Sequence, residues 1–282
     1  MDVTGGQIVT ALATAPAAAV VAGGLINMIR DSVGALWAPK HVRRMAEAEA
    51  DAKTIAAKAD SQVEMYKQAG QQLREVQEVR HLANFLDIVD EAIPLLPEGG
   101  RPDQVDRDWM NEFFDHGKNV SNEELRHLLA RLLAGEVGSP GAFSRRTLAT
   151  VRTLSAGEVQ LFQKALACFW RSEGQGVEPM HFSPQQLDPF SIRESLVLSD
   201  AGLLQPYAGQ LFSLEPDRVL IYGPQRLIVY QRERVPSFLL TSVGEELATI
   251  YPIAGDQNSV KDMGEWLNRS GTVVTREDGT RL

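Results

Sequence analysis

The chain has 282 residues, enough for two modest domains, and its 44% hydrophobic and 23% charged residues are the values of an ordinary globular protein. Its formal net charge of −9 disfavours a nucleic-acid-binding protein, and residues 176–282 alone carry nine Lys/Arg against fourteen Asp/Glu. The single cysteine, Cys168, excludes an intramolecular disulfide and is typical of a reducing compartment such as the cytoplasm.

An uncharged, alanine- and glycine-rich segment opens the chain. No residue between Asp2 and Arg30 carries a charge, and a helix of this length can cross a bilayer. The positive residues that begin at Lys40 would place the rest of the chain in the cytoplasm. We therefore predict residues 1–39 to be a membrane-inserting segment, although a buried helix in a soluble bundle is the alternative. The side chains expected to enter the membrane are Ile8, Val9, Leu12, Val20, Val21, Leu25, Ile26, Ile29 and Trp37.

Residues 40–97 are predicted to form one long helix. From His41 to Ile93 there is no proline, Gly70 is the only glycine, and strong helix formers dominate. Apolar residues recur three and four positions apart, which is the spacing of a heptad seam, and two positions interrupt it, Gln62 and Arg80. Because much of this seam is alanine, we expect its packing to be close but weak. The seam predicts a homo-oligomer that is held through Met45, Ile55, Tyr66, Leu73 and Val76.

A helical domain is predicted over residues 98–172, after the helix-breaking stretch "LLPEGGRPDQ". The run "VDRDWMNEFFDHG" predicts a helix that ends at Gly117, in the left-handed conformation that glycine favours. Ser121 and Ser155 each stand three residues before a glutamate, which predicts two capping boxes. The residues expected to face the core are Trp109, Met110, Phe113, Phe114, Leu125, Leu128, Leu129, Leu132, Leu133, Val159, Phe162, Leu166 and Phe169.

The last domain, residues 173–282, is predicted to be α+β. The stretch "RESLVLSDAGLL" predicts a helix, "QLFSL" a strand, and "VLIY" and "LIVYQ" a hairpin that "GPQR" joins. A helix that Thr241 or Ser242 caps is expected next, then a terminal helix and a short strand "TVVT". The predicted fold class is therefore mostly α with a C-terminal winged-helix-like α+β domain. Such domains bind DNA or proteins, and the mixed charges near the hairpin favour a protein partner over nucleic acid.

No common catalytic or metal-binding pattern occurs in the sequence. The motifs GxSxG, GxxxxGK[ST], HExxH, SxxK and CxxC are all absent. The nearest approach to a site is Glu123 with His127, one helical turn apart, and we interpret both as exposed polar residues. The sequence therefore predicts a protein that is not an enzyme and that has no cofactor and no metal.

The block "DWMNEFFDHGKNVSNEELRHLLARLLAGEVGSPGAFSRRTLATVRTLSAGEVQLFQ" resembles an uncharacterised bacterial family, the domain of unknown function 2806. Shared features are an aromatic helix, "LAGE", a proline-glycine loop, "FS.RTL" and "LS", followed by "LT..G.EL" near residues 240–247. The resemblance covers roughly residues 38–270. It implies a bacterial, cytoplasmic-facing protein without an assigned activity, and it provides no functional residues to carry over.

These features together lead to two functional hypotheses. The first is a non-enzymatic, membrane-active bacterial effector of antiphage defence. It would oligomerise on sensing a protein partner, such as a phage protein assembly, and permeabilise the inner membrane. We expect this protein to be cytoplasmic and to become associated with the inner membrane. The alternative is a soluble, oligomeric winged-helix regulator or adaptor, which the acidic charge balance disfavours as a DNA-binding protein.

Overall fold

The structure is a computed structural model that describes residues 19–32, 61–167, 169–173, 180–182, 190–206, 211–217, 219–222, 225–229, 233–251 and 274–276. The chain divides into two compact units, Met1–Arg145 and Arg146–Leu282. Within the described residues the fold is mostly helical, and its strands all belong to the second unit, which confirms the predicted class at this level. The terminal helix that the sequence predicts, at residues 259–271, lies outside the described residues.

The first unit is built from helices. They are α1 (residues 19–32), α2 (Ser61–Ala92), α3 (Arg107–Gly117) and α4 (Glu123–Gly138), and α5 (Arg145–Val151) begins at the boundary between the units. Short 3-10 turns occupy Ile93–Leu95 and Pro102–Gln104. As the sequence predicts, α2 is continuous over its described length, because helix-favouring residues surround Gly70.

The core of the first unit lies between the second half of α2 and the helices α3 and α4. Phe85 is buried and contacts two aromatic rings of α3 edge-on, with centroids 6.1 Å from Phe113 and 4.8 Å from Phe114. Trp109 stacks on Phe113 at 5.2 Å. The aromatic face that the sequence predicts for α3 is therefore confirmed. This packing joins the end of α2 to α3 and α4, whereas the sequence predicts a domain boundary between residues 97 and 98.

Gly117 serves a purpose that differs from the predicted one. It is the last residue of α3, and the positive-φ glycines of the described chain are Gly141 and Gly202, so the predicted left-handed conformation at Gly117 was wrong. A Cβ atom at Gly117 would lie 3.0 Å from Ile88 Cδ1 and 3.3 Å from Phe85 Cδ2. Glycine at this position lets α3 approach α2 closely, and any side chain there would require Ile88 or Phe85 to shift.

Helix starts follow the predicted capping chemistry with one shift. The box at Ser155 is present in full, with Glu158 reaching back to the cap. At α4 the cap is Asn122, whose Oδ1 accepts from Leu125 N at 3.2 Å, so the predicted box at Ser121 was wrong by one residue. Asparagine and serine cap helices about equally well, so the spacing to a glutamate did not distinguish the two positions.

A buried carboxylate organises the loop after α4. Glu136 is 1% exposed, and its Oε1 and Oε2 accept from Gly141 N at 2.7 Å and from Phe143 N at 3.1 Å. The "LAGE" and "GSPGAF" segments thus form one hydrogen-bonded corner, in which two backbone amides satisfy the buried carboxylate.

The second unit combines helices with an antiparallel sheet. Its helices after α5 are α6 (Ala156–Leu166), α7 (Ile192–Asp200) and α8 (Ser242–Ala248). Its strands are β1 (Phe169–Glu173), β2 (Met180–Phe182), β3 (Leu211–Leu214), β4 (Val219–Tyr222), β5 (Gln225–Val229), β6 (Glu233–Leu239) and β7 (Val274–Arg276). Their order in the sheet is β3-β6-β2-β1-β4-β5-β7.

Several predictions for the second unit are confirmed. The hairpin β4–β5 pairs Tyr222 with Gln225, and Thr241 caps α8 by accepting from Gly244 N at 3.1 Å. The strands β1 and β2 were not predicted, because the sequence around Phe169 continues the helical spacing of α6. A second capping box, formed by Ser191 and Glu194, opens α7 and is a further feature that was not predicted.

Candidate functional site

The first half of α2 presents apolar side chains to solvent. Leu73, Val76 and Val79 are 68%, 67% and 70% exposed, and Leu82 is 41% exposed. Every side chain from Gln71 to Gln77 is exposed, so this part of the helix is uncovered on all sides among the described residues. A helix without tertiary contacts is marginal in water. The exposed half of α2 is therefore a candidate interaction surface.

Leu73, Val76 and Val79 form a single row, which we call the α2 row. Residues three apart lie on a ridge that is inclined to the helix axis, and each member is rotated by about 60° from the last. A strict heptad seam would continue from Val76 to Arg80, so the row leaves the seam at that point. Gln72 and Arg80 lie one turn before and after Val76, and the positive charge of Arg80 weakens self-association through this part of the helix.

The sequence predicts five residues to form the oligomer contact, and the structure describes the side chains of two of them. Leu73 and Val76 belong to the α2 row, and Val79 is a third member that the heptad spacing missed. Tyr66 lies in α2, but its side chain is outside the described residues. Met45 and Ile55 also lie outside them. The oligomer itself stays a prediction.

The second half of α2 is held by charged groups as well as by the aromatic core. Arg126 of α4 forms an ion pair with Glu91, and its Nη1 lies 3.9 Å from Asp87 Oδ2. His127 Nδ1 lies 2.6 Å from the same Glu91 carboxylate, and its Nε2 lies 3.6 Å from Glu123 Oε1. The hydrogen bond from Arg126 to Glu91 raises the pKa of the arginine above its usual value. The pair Glu123–His127 therefore belongs to a contact between helices.

Metal-binding geometry is not found in the described part of the chain. No group of three or more His, Cys, Asp or Glu residues there is arranged to hold a metal ion. The absence of an activity stays a prediction from the sequence.

Helix α1 packs against the first unit instead of standing free. Val21, Ala22 and Leu25 are buried, and Val20 is 75% exposed. Burial of this kind stabilises a protein by about 2 kcal/mol for each large aliphatic side chain. The structure thus places part of the uncharged segment in contact with the rest of the first unit.

Of the nine side chains predicted to enter a membrane, five fall in α1. Val21 and Leu25 are buried, Ile26 and Ile29 are half-buried, and Val20 is exposed. The remaining four lie outside the described residues, namely Ile8, Val9, Leu12 and Trp37. Among the helices that the structure describes, none has the length and apolar character needed to span a bilayer.

Helix α7 of the second unit carries a further apolar surface. Ile192, Leu196 and Val197 are 63%, 52% and 40% exposed. Glu194, at the start of the same helix, is bonded by Lys164 and by the backbone and hydroxyl of Ser191, which together lower its pKa to about 2. The helix start is therefore fixed by an ionised carboxylate, while its apolar side faces solvent.

The fold and these surfaces define a mostly helical protein with a C-terminal sheet and exposed apolar helix faces. The chain matches the family described as "Protein of unknown function (DUF2806)" over residues 68–264, more than half of its length, and it belongs to that family. This confirms the resemblance seen in the sequence. No curated protein and no solved structure matches the chain. The matched range contains the α2 row and α7, whereas α1 precedes it.

Proposed function

We propose that this chain is a non-enzymatic effector that self-associates through the α2 row and then acts on a membrane through its N-terminal segment. The observation that carries the proposal is the exposure of Leu73, Val76 and Val79 on a helix whose other half is anchored in a core. An anchored helix presents its free half in a fixed direction. Several copies can therefore meet through the same surface.

The α2 row supports weak association that depends on concentration. Burying each of its side chains stabilises the associated state by about 1–2 kcal/mol. Two copies bury six such side chains and therefore gain roughly 6–12 kcal/mol. Association costs an estimated 4–15 kcal/mol in lost translational and rotational freedom. Because the two ranges overlap, isolated chains should be close to the balance point. A partner that binds several copies would raise their local concentration and shift the balance to the oligomer.

The membrane part of the proposal depends on the uncharged run between Asp2 and Arg30 and on the positive residues that follow from Lys40. We place this activity at the bacterial inner membrane, in defence against phage, with a phage protein assembly as the trigger. In the resting protein α1 would stay packed on the first unit, and the cytoplasmic chain would reach the membrane only after activation.

Dye leakage from phospholipid vesicles tests the membrane activity. Val20 is the best position for a charge, because it is exposed and its replacement leaves the buried side of α1 intact. Val20→Asp should add about 3 kcal/mol to insertion and lower leakage by about a hundredfold, whereas the neutral Val20→Thr should retain it. Equal leakage from both variants and the parent would exclude insertion of this segment.

A second candidate is a soluble winged-helix regulator or adaptor. Its support is the exposed apolar side of α7, with Ile192 and Leu196 one turn apart, together with the β4–β5 hairpin as the wing. An apolar helix face suits a protein partner, and the acidic charge of the region disfavours DNA. A nuclease-treated pull-down with Leu196→Asp and with the exposed control Arg193→Asp tests this candidate. Salt-sensitive DNA binding without a protein partner would instead favour a DNA-binding regulator.

A further inference from the structure

Two glycines bring α1 into direct contact with the loop before α3. A Cβ atom at Gly24 would lie 2.7 Å from Pro102 Cγ, and a Cβ atom at Gly100 would lie 2.6 Å from Val21 Cγ1. Both distances are shorter than any stable contact between non-bonded carbon atoms, so a side chain at either position requires Pro102 or Val21 to shift. The contact thus has one glycine on α1 and one on the segment that receives it, residues 97–102, which we call the seat of α1.

The seat of α1 has a hydrogen-bond framework of its own. Gly100 N donates to Pro97 O at 3.0 Å, and Arg101 N donates to Val137 O of α4 at 2.7 Å. Gly100 also lies against Val137, whose Cγ1 would be 3.0 Å from a Cβ atom there. Helix α1 adds side-chain packing to this framework through Val21, Ala22 and Leu25. Its own ion pair, between Arg30 and Asp31, lies within the helix.

From this contact we infer that α1 is a releasable latch, whose docking on the seat withholds an apolar helix face from a lipid surface. The side chains that dock, Val21 and Leu25, are one turn apart and form that face. Release exposes them beside Val20, in a helix without charge from residue 19 to residue 29. Such a face favours the interface of a bilayer over water. The inference rests on the proposed membrane function and names its regulation.

Neighbouring glycines provide a matched test. Gly24→Ala places a methyl group against the Pro102 ring, whereas a Cβ at Gly23 has nothing within 4 Å. Both positions lie inside α1, so both substitutions raise helix propensity equally and differ in the docking contact alone. Hydrogen exchange of the full-length chain should become faster by about tenfold across residues 19–32 in Gly24→Ala and should not become faster in Gly23→Ala.

A second pair of variants changes the seat instead of α1. Gly100→Ala should release α1 in the same way, and Gly99→Ala, which meets nothing within 4 Å, is its control. Unchanged protection of α1 in both Gly24→Ala and Gly100→Ala would overturn the latch. Because the two substitutions lie on opposite sides of the contact, a folding defect of one variant leaves the other as an independent test.

Vesicles of phosphatidylethanolamine and phosphatidylglycerol separate the latch from the membrane function. Both released variants should cosediment with these vesicles severalfold more than the parent, and both controls should match the parent. Faster exchange of α1 together with increased cosedimentation supports the whole account. Faster exchange without any gain in vesicle binding supports the latch as a device but overturns its lipid target and the proposed membrane function.

Discussion

The two halves of α2 differ sharply, although they belong to one continuous helix. In the second half Phe85, Ile88 and Val89 are fully buried, whereas in the first half Leu73 and Val76 are about two-thirds exposed. Both halves carry apolar residues at helical spacing, so the spacing does not cause the difference. It arises because α3 and α4 cover one half and nothing in the described chain covers the other. Such contrast in one element distinguishes residues that make the fold from residues available to a partner.

The largest effect should come from substitutions that compare the two halves directly. Phe85→Ala removes a buried ring that contacts Phe113 and Phe114, and it should lower the free energy of unfolding by about 3–5 kcal/mol. Leu73→Ala should change it by less than about 0.5 kcal/mol. Urea unfolding followed by circular dichroism measures both. A comparable loss in the two variants would mean that Leu73 is covered within the monomer.

The next effect concerns the buried carboxylate of α4. Glu136→Ala leaves the amides of Gly141 and Phe143 without their acceptor and should destabilise the first unit by about 1–3 kcal/mol. Glu75→Ala, in the exposed half of α2, is the matched control and should have almost no effect. The same unfolding experiment distinguishes them, and equal stability of the two variants would contradict the assigned hydrogen bonds.

A smaller effect is expected for the ion pair that fastens the second half of α2 to α4. A double-mutant cycle with Glu91→Gln and Arg126→Gln should give a coupling energy of about 0.5–1 kcal/mol, because the pair is only partly shielded from water. The coupling should decrease in high salt. A coupling energy of zero at low salt would indicate that the aromatic contacts alone hold the helices together.

The smallest effect is expected from Glu194, and it should be confined to the second unit. Lys164 and Ser191 lower the pKa of Glu194 to about 2, below its value in an unfolded chain, so ionised Glu194 stabilises the fold above about pH 4.3. That contribution is lost as the pH falls from about 4 towards 2. Glu194→Gln should weaken the acid dependence of the second unit and leave α2 unchanged. Hydrogen exchange at pH 5 and pH 3 follows both units, and an unchanged acid dependence would refute the assignment.

The sequence predicted the helices well because their start and stop signals are local. The capping box at Ser155, the cap at Thr241 and the aromatic face of α3 all follow from residues within one or two turns. The box at Ser191 carries the same local signal and could have been found. Strand β1 could not, because "CFW" continues the apolar spacing of α6 and its partners β2 and β4 lie further along the chain.

The candidate surfaces were only half predictable for a similar reason. Heptad spacing identified Leu73 and Val76. Which half of α2 is covered depends on α3 and α4, and these helices come after the helix-breaking stretch that ends α2. The docking of α1 depends on Gly24 meeting Pro102 and on Gly100 meeting Val21, contacts between residues about 80 apart in sequence. No local pattern encodes such a pair.

The central claim, self-association through the α2 row, is tested most directly by sedimentation equilibrium of the full chain over a wide concentration range. The parent should show a mass that rises above that of the monomer, whereas Leu73→Asn/Val76→Asn should remain monomeric with unchanged unfolding. The matched control Arg74→Asn/Glu75→Asn introduces the same residue type outside the row and keeps the net charge, so it should associate like the parent. A parent that stays monomeric at every concentration, or a row variant that associates as strongly as the parent, would contradict the account.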